Sequence, residues 1–150
     1  MSLFYSIKVK AIYRQTDKAV EIAFEIPKDL ESTFQHKSGQ YLTLSTEIKG
    51  EEVRRSYSIC STPDEDLSVV IKAIPNGVFS NYVNSELKVG DELNILPPEG
   101  GFTIDNQSET SNYCAFVAGS GITPVMSLLK SVLKNNSTSK FVMVYGNKSP

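Results

Sequence analysis

Residues Ala115 to Leu133 read Ala-Phe-Val-Ala-Gly-Ser-Gly-Ile-Thr-Pro-Val-Met-Ser-Leu-Leu-Lys-Ser-Val-Leu, and this segment is the most informative about the architecture of the second half of the chain. Its first four residues are apolar without alternation, which predicts a strand buried on both faces. Apolar residues then recur at the i, i+3, i+4, i+7, i+8 spacing of a helix, at Val125, Leu128, Leu129, Val132 and Leu133. We expect Thr123 to cap this helix and Pro124 to occupy its first position.

A second apolar run, Phe141–Tyr145, follows the predicted helix and predicts another buried strand. Residues 113–150 therefore read as one β-α-β unit, the start of an α/β nucleotide-binding domain. One such unit cannot cover both faces of its sheet, so we expect this second domain to be truncated. The polar residues 105–112 before it are expected to form a linker.

The first hundred residues alternate between apolar and polar side chains, which is typical of half-buried strands. Tyr5–Tyr13 and Val20–Ile26 show the pattern most clearly. Turn-forming residues, such as Lys49-Gly50 and Pro75-Asn76-Gly77, separate the strands. The other four candidates are Tyr41–Thr46, Val53–Ile59, Leu67–Ile74 and Glu92–Leu96. We expect residues 1–104 to form a six-stranded antiparallel Greek-key β-barrel.

The bulk composition excludes several classes of function. With 40% hydrophobic and 21% charged residues and a net charge of −2, the 150-residue chain lacks the positive field that nucleic-acid binding needs. No apolar run approaches the roughly 20 residues that span a membrane, and no signal peptide is evident, so we expect a cytoplasmic protein. Cys60 and Cys114 do not have the spacing of a metal site, and none is expected.

The segment Arg55-Ser56-Tyr57-Ser58 brings three chemical groups together. In an extended chain Arg55 and Tyr57 face one side, and the two serines face the other. The segment thus offers a cation for a phosphate, a flat aromatic surface and a hydroxyl donor, which are the groups that a flavin dinucleotide needs. An ordinary edge strand with an exposed arginine and a packed tyrosine would carry the same residues.

A second segment, Gly77-Val78-Phe79-Ser80, precedes a helix expected over Asn81–Leu87. We expect Gly77 to adopt a backbone conformation that other residues resist. Ser80 is expected to begin the helix, where free backbone N–H groups favour an anion. A plain Pro-Asn-Gly turn before a capped surface helix would fit the same residues.

A third segment, Gly119-Ser120-Gly121-Ile122-Thr123-Pro124, joins the predicted strand to the predicted helix. Glycines at such a turn let backbone N–H groups approach a pyrophosphate at the helix N-terminus. Pro124 stands where the full Gly-x-Gly-x-x-Gly fingerprint has its last glycine. The segment therefore predicts dinucleotide or phosphate binding without the complete fingerprint.

The three segments, in this order, resemble those of the ferredoxin–NADP reductase superfamily over nearly the whole chain. Arg55–Ser58 matches its Arg-x-Tyr-Ser flavin motif, and Gly77–Ser80 matches its Gly-x-x-Ser pyrophosphate motif. Gly119–Pro124 matches the glycine loop of its nicotinamide domain, and Tyr145–Asn147 is similar to the end of that domain's second strand. The similarity is greatest to the oxygenase reductases and the flavohaemoglobins.

The resemblance implies an NAD(P)H-dependent FAD oxidoreductase, which takes hydride from NADH or NADPH and passes electrons to a protein partner. That partner would be an oxygenase or an iron–sulfur centre, in some members a fused domain beyond Pro150. Tyr57 would stack on the isoalloxazine and Ser58 would hydrogen-bond near its reactive nitrogen, so these two are the expected catalytic residues. The expected FAD-binding residues, of which Ile71 and Lys72 would contribute backbone groups, are Arg55, Ser56, Tyr57, Ser58, Ile71, Lys72, Gly77, Val78, Phe79 and Ser80. Those expected to face NAD(P)H are Gly119, Ser120, Gly121 and Thr123.

Two other interpretations stay open. The chain could be a flavin-binding electron-transfer or regulatory subunit that is not a complete catalyst. It could also be a barrel that binds oligonucleotides or oligosaccharides, which predicts aromatic and basic residues interleaved along one face. The aromatic residues of the predicted strands alternate into the expected core instead, which disfavours the second alternative.

Overall fold

The computed structural model describes residues 3–147, so the outer ends of the two expected domains, residues 1–2 and 148–150, lie outside the described part. Six antiparallel strands form one sheet in the order β4-β3-β6-β1-β2-β5. A bridge between Ile59 and Val69 joins the end of β4 to β5, so the two edges of the sheet meet as a barrel. The strands are β1 (Tyr5–Thr16), β2 (Ala19–Glu25), β3 (Tyr41–Ile48), β4 (Glu51–Ser58), β5 (Ser68–Lys72) and β6 (Glu92–Ile95).

Buried apolar residues of β1, β2, β3, β5 and β6 fill the barrel interior, whereas β4 contributes only the partly buried Val53 and Tyr57. On β2, for example, Val20, Ile22 and Phe24 are all buried. Strand β6 lies between β1 and β3, which are distant along the chain, and such a connection is typical of a Greek key. A short helix, α1 (Val78–Ser85), buries Phe79 and Val83 against the same core.

A bulge in β1 changes which residues face the core. The register with β2 shifts by one residue between Val9 and Ala11. Beyond the shift Ile12 packs against the core, whereas the side chain of Tyr13 is 55% exposed. The expectation that Tyr13 alternates into the core is therefore wrong, because one extra residue reverses the facing of the residues between this shift and the next one, at Arg14/Thr16.

The second unit consists of β7 (Asn112–Ala118), helix α2 (Ile122–Asn135) and β8 (Lys140–Gly146), with β7 and β8 parallel. Helix α2 covers one face of the two strands and buries Val125, Leu128 and Val132. The other face, which carries Phe116 (82% exposed), Val142 and Val144, is uncovered within the described residues. The prediction that these strands are buried on both faces is thus wrong for residues 3–147.

The predicted architecture, an antiparallel barrel followed by one β-α-β unit, is confirmed. No helix within residues 3–147 is both long and apolar enough to cross a membrane.

Candidate flavin and nicotinamide site

A cleft of about 1090 Å³ separates the barrel from the β-α-β unit, and all three sequence motifs reach it. This volume slightly exceeds the range of about 300–1,000 Å³ that is typical for cofactor sites. The expected site residues on its wall are Arg55, Ser56, Tyr57, Lys72, Gly77, Val78, Phe79, Ser80, Gly119, Ser120 and Thr123. The remaining three, Ser58, Ile71 and Gly121, are not among its lining residues.

The first motif lies on β4, where pairing with β3 holds it extended. The guanidinium of Arg55 is exposed, and its Nη1 donates a hydrogen bond of 2.6 Å to the carbonyl of Arg54. Tyr57 is half-buried and its ring packs on that of Phe79, with the centroids 5.8 Å apart. Burial raises the pKa of the Tyr57 phenol, although the nearby Arg55 charge opposes the rise. The motif thus presents an exposed guanidinium, with no ion pair to any of residues 3–147, beside a packed, neutral aromatic ring.

Two of the residues expected to contact flavin, Ser58 and Ile71, do not line the cleft. Ser58 is the last residue of β4, pairs with Tyr41 of β3 and is half-buried. The side chain of Ile71 is fully buried in the barrel core, and its carbonyl accepts a hydrogen bond of 3.0 Å from Asn84 Nδ2. Any contact of Ile71 with a ligand would therefore involve its backbone, as the family resemblance implies.

The turn at Gly77 differs from the expectation. The residue with positive φ is Asn76 (+60°), whereas Gly77 has φ −74°. Glycine is needed for space, because a Cβ built there would overlap the Ser80 hydroxyl and lie 2.5 Å from Ile74 Cγ1. Helix α1 begins at Val78, so Ser80 is inside the helix rather than at its start. The Ser80 hydroxyl accepts a hydrogen bond from the Ile74 N–H (3.3 Å), which stabilises the turn.

The glycine loop forms a single 3₁₀ turn, Gly119–Gly121, that leads directly into α2. Gly119 adopts φ +53°, a conformation that favours glycine. The expected cap at Thr123 is wrong: the helix begins at Ile122, and Thr123 Oγ1 donates to the carbonyl of Ser120 (3.0 Å) instead. The hydroxyl of Tyr145, at the end of β8, donates to the carbonyl of Gly119 (3.4 Å).

The cleft wall also carries a polar cluster outside the three motifs, which consists of Gln15, Glu21 and Cys60 with the buried Ser68 behind them. Glu21 accepts hydrogen bonds from Ser68 Oγ (2.8 Å) and from Gln15 Nε2 (3.0 Å). Burial raises the pKa of the Cys60 thiol to about 11, so the thiol is protonated at neutral pH. These residues come from separate segments of the chain, and only the barrel topology brings them together.

The wall of the cleft fits a flavin and a nicotinamide dinucleotide. The exposed Arg55 guanidinium could neutralise a pyrophosphate, and Tyr57 offers an aromatic surface braced from behind. Across the cleft, the glycine loop presents the N-terminus of α2, where backbone N–H groups favour phosphate. Two dinucleotides bound on these walls would meet between the barrel and the β-α-β unit.

Comparison with known families agrees with this division. Residues 7–104 match the oxidoreductase FAD-binding domain family, and residues 116–150 match the oxidoreductase NAD-binding domain family. The two matches indicate FAD as the cofactor and a pyridine nucleotide as the co-substrate.

Curated relatives match almost the whole chain. One of the subunits of 1,2-phenylacetyl-CoA epoxidase from Escherichia coli is 38% identical over 99% of the chain. The ferredoxin reductase component of 3-ketosteroid-9-alpha-monooxygenase from Rhodococcus rhodochrous is 37% identical over 95% of it. The chain spans 42% and 40% of the lengths of these two relatives.

Solved structures share the fold at low sequence identity. The flavohaemoglobin-like FAD/NAD-binding domain of nitric oxide dioxygenase from Vibrio cholerae gives a TM-score of 0.83 at 21% identity, with 99% of this chain and 64% of that chain covered. A ferredoxin NADP⁺ reductase from Neisseria gonorrhoeae gives 0.74 at 22% identity, with 95% and 58% covered. The chain therefore belongs to the oxidoreductase FAD-binding domain family and has the ferredoxin–NADP reductase fold.

Proposed function

We propose that this protein takes hydride from NADH or NADPH onto FAD in the cleft and passes electrons to a protein partner. One observation carries the proposal: Arg55–Tyr57, Gly77–Ser80 and the glycine loop line the same cleft. A binding barrel for sugars or nucleic acids would not need a strand-to-helix glycine loop opposite its aromatic face. The site therefore supports a reductase over the second alternative.

Each motif has a separate task in this proposal. Arg55 and the Gly77–Ser80 turn hold the pyrophosphate of the flavin, Tyr57 orients the ring, and the backbone of Lys72 lines the cofactor. Ser58, which ends β4 beside the cleft wall, is assigned a hydrogen bond near the reactive end of the ring by the family resemblance. Gly119, Ser120 and Thr123 hold the nicotinamide dinucleotide. Bound FAD supplies the hydride-accepting and one-electron chemistry, while the protein supplies orientation and charge.

The nature of the partner rests on relatives. The E. coli and Rhodococcus proteins are named as parts of an epoxidase and a monooxygenase. Phthalate dioxygenase reductase, with a TM-score of 0.79 at 21% identity, is described as transferring electrons from pyridine nucleotides to a [2Fe-2S] centre. We propose an oxygenase or an iron–sulfur protein as the acceptor. A cytoplasmic location stays a prediction.

The experiment is to purify the 150-residue chain, record its visible absorption spectrum, release the flavin by heat and identify it. The loaded protein is then mixed with NADH or NADPH without oxygen, and flavin bleaching is followed by stopped-flow absorbance. We expect bound FAD that at least one of the nucleotides reduces, but slowly, because the glycine loop is held by only two strands and one helix within residues 3–147. A protein that binds FAD but is reduced by neither would favour the alternative, an electron-transfer or regulatory subunit. A protein without flavin affinity would overturn the proposal.

A further inference from the structure

A buried hydrogen bond attaches helix α2 to the barrel. Ser127 Oγ donates to the carbonyl of Ser61 at 2.7 Å, and the two residues are 0% and 3% exposed. Leu128, next on the helix, approaches the barrel backbone closely, because a Cβ built at Gly39 would lie 3.5 Å from its Cδ2. The β-α-β unit is therefore held to the barrel at a defined place.

The loop that accepts this hydrogen bond, residues 61–65, is held rigid by its own bonds. Ser61 Oγ accepts from the Ser68 N–H at 3.0 Å, which ties the loop to β5. The Thr62 N–H donates to Glu65 Oε2 (2.8 Å), and Thr62 Oγ1 donates to Asp64 Oδ1 (2.9 Å). The Ser61 carbonyl thus has a fixed position relative to β5, the barrel strand that follows the loop.

Two ion pairs flank the buried bond on the same face of α2. Lys130 contacts Glu65 at 3.0 Å, and Lys134 contacts Asp64. Together with Ser127 these lysines occupy positions i, i+3 and i+7, which share one side of a helix. The paired side chains are 43–60% exposed, and exposed ion pairs contribute little. The buried hydroxyl is the contact that fixes the geometry.

We infer that Ser127 is a positioning residue, which sets the distance between the flavin motif and the nicotinamide loop through its bond to Ser61. This inference rests on the proposed function. In the barrel, Ser61 lies three residues after Ser58, the last residue of β4. In the β-α-β unit, Ser127 lies within two helical turns of Gly121, the last residue of the glycine loop. The bond therefore closes a short, rigid path between the two walls of the cleft. Hydride transfer is sensitive to small displacements of the reacting rings.

The test compares Ser127→Ala with Ser131→Ala in the FAD-loaded chain. Ser131 is a matched control because it is also buried on α2, but its hydroxyl donates to Gln107 of the connecting segment rather than to the barrel. The first readout is hydrogen–deuterium exchange of α2, followed by mass spectrometry. The second is the rate of flavin reduction as a function of NADH or NADPH concentration.

We expect Ser127→Ala to raise exchange in α2 more than Ser131→Ala does, and to slow the limiting reduction rate by about tenfold. The nucleotide concentration for half-maximal rate and the affinity for FAD should change by less than about twofold, since the three binding motifs are intact. Equal effects of both substitutions on exchange and rate would overturn the inference, as would no effect of Ser127→Ala. A wild-type protein that binds FAD but is not reduced would instead contradict the proposed function, and the exchange comparison would still decide whether Ser127 holds the helix.

Discussion

The ring of Tyr57, in the first flavin motif, packs on the ring of Phe79, in the second, at 5.8 Å between centroids and 32° between planes. Phe79 is 1% exposed and belongs to the barrel core, whereas Tyr57 is half-buried at the wall of the cleft. The contact links two motifs that are well separated along the chain. A change at Phe79 should therefore affect both the stability of the barrel and the surface on which flavin rests.

Phe79→Ala tests this link. We expect the free energy of unfolding to fall by about 3–5 kcal/mol, the usual cost of a large cavity in a core. Flavin affinity should also fall, because the Tyr57 ring loses its support. Phe79→Leu fills more of the space and should be milder in both measurements. Urea unfolding and flavin titration give the two quantities, and unchanged affinity in a folded Phe79→Ala protein would show that Tyr57 does not depend on Phe79.

We expect Arg55 to contribute mainly to flavin affinity and Ser58 mainly to the rate of flavin reduction. Arg55→Ala should weaken flavin binding more, because a charge-assisted contact contributes roughly 1.5–3 kcal/mol against about 1 kcal/mol for a neutral hydrogen bond. Ser58→Ala should mainly slow flavin reduction. Fluorescence titration with FAD and stopped-flow reduction separate the two effects. A larger loss of affinity in Ser58→Ala would reverse the two assignments.

Because the pKa of the Cys60 thiol is raised in the folded protein, we expect the free energy of unfolding to depend on pH. Burial raises its pKa from 9.0 to about 11 in the folded protein. The folded protein keeps the thiol proton to a higher pH than the unfolded chain does. The stabilisation that results is therefore complete below about pH 9 and is lost as the pH rises towards 11. The shift in pKa limits this stabilisation to about 2–3 kcal/mol at most. The stability difference between wild type and Cys60→Ala should become smaller over this range, as measured by urea unfolding at several pH values.

A chemical probe checks the same pKa independently. Alkylation of Cys60 by iodoacetamide requires the thiolate and should be slow at about pH 8–9 in the folded protein. The exposed Cys114 would react as well, so the measurement is made in a Cys114→Ala background. Fast alkylation in that pH range, or a stability difference that stays constant as the pH rises towards the folded-state pKa, would contradict the raised pKa.

Much of this fold could be predicted because the signals are local. Alternation identifies the strands, and the change to helical spacing marks α2. The bulge in β1 could not be predicted, since an inserted residue between Val9 and Ala11 leaves the sequence pattern unbroken. The exposed face of Phe116 was also missed, because an apolar run does not reveal which neighbours cover it.

The candidate site shows the same limit. The three motifs are contiguous in sequence, and each could be found alone. The place of Glu21 in the site could not be predicted, because Glu21 meets Cys60 only after β2 and the end of β4 are brought together. The hydrogen bond from Ser127 to Ser61 joins residues 66 positions apart in the sequence. A serine within a helical pattern does not indicate such a distant partner.

The Gly77 turn gives the most direct test of the flavin site, because its glycine is required by space and not by backbone angle. A methyl group at Gly77 would displace the hydroxyl of Ser80, which is 5% exposed and has little room to move. The Ile74 N–H would then lose its acceptor. We expect Gly77→Ala to cost about 1–3 kcal/mol in stability, the usual penalty of overpacking, and to weaken FAD binding.

Gly101→Ala is the matched control for this substitution. Gly101 does not have a positive φ, and nothing lies within 4 Å of a Cβ built there. Its replacement should leave stability within about 0.5 kcal/mol of wild type and FAD affinity unchanged. Thermal unfolding and FAD titration are compared across wild type and the two variants. If Gly77→Ala binds FAD as tightly as Gly101→Ala does, the turn accommodates the methyl group without loss of FAD affinity. The Gly77–Ser80 segment then does not hold the cofactor as we propose.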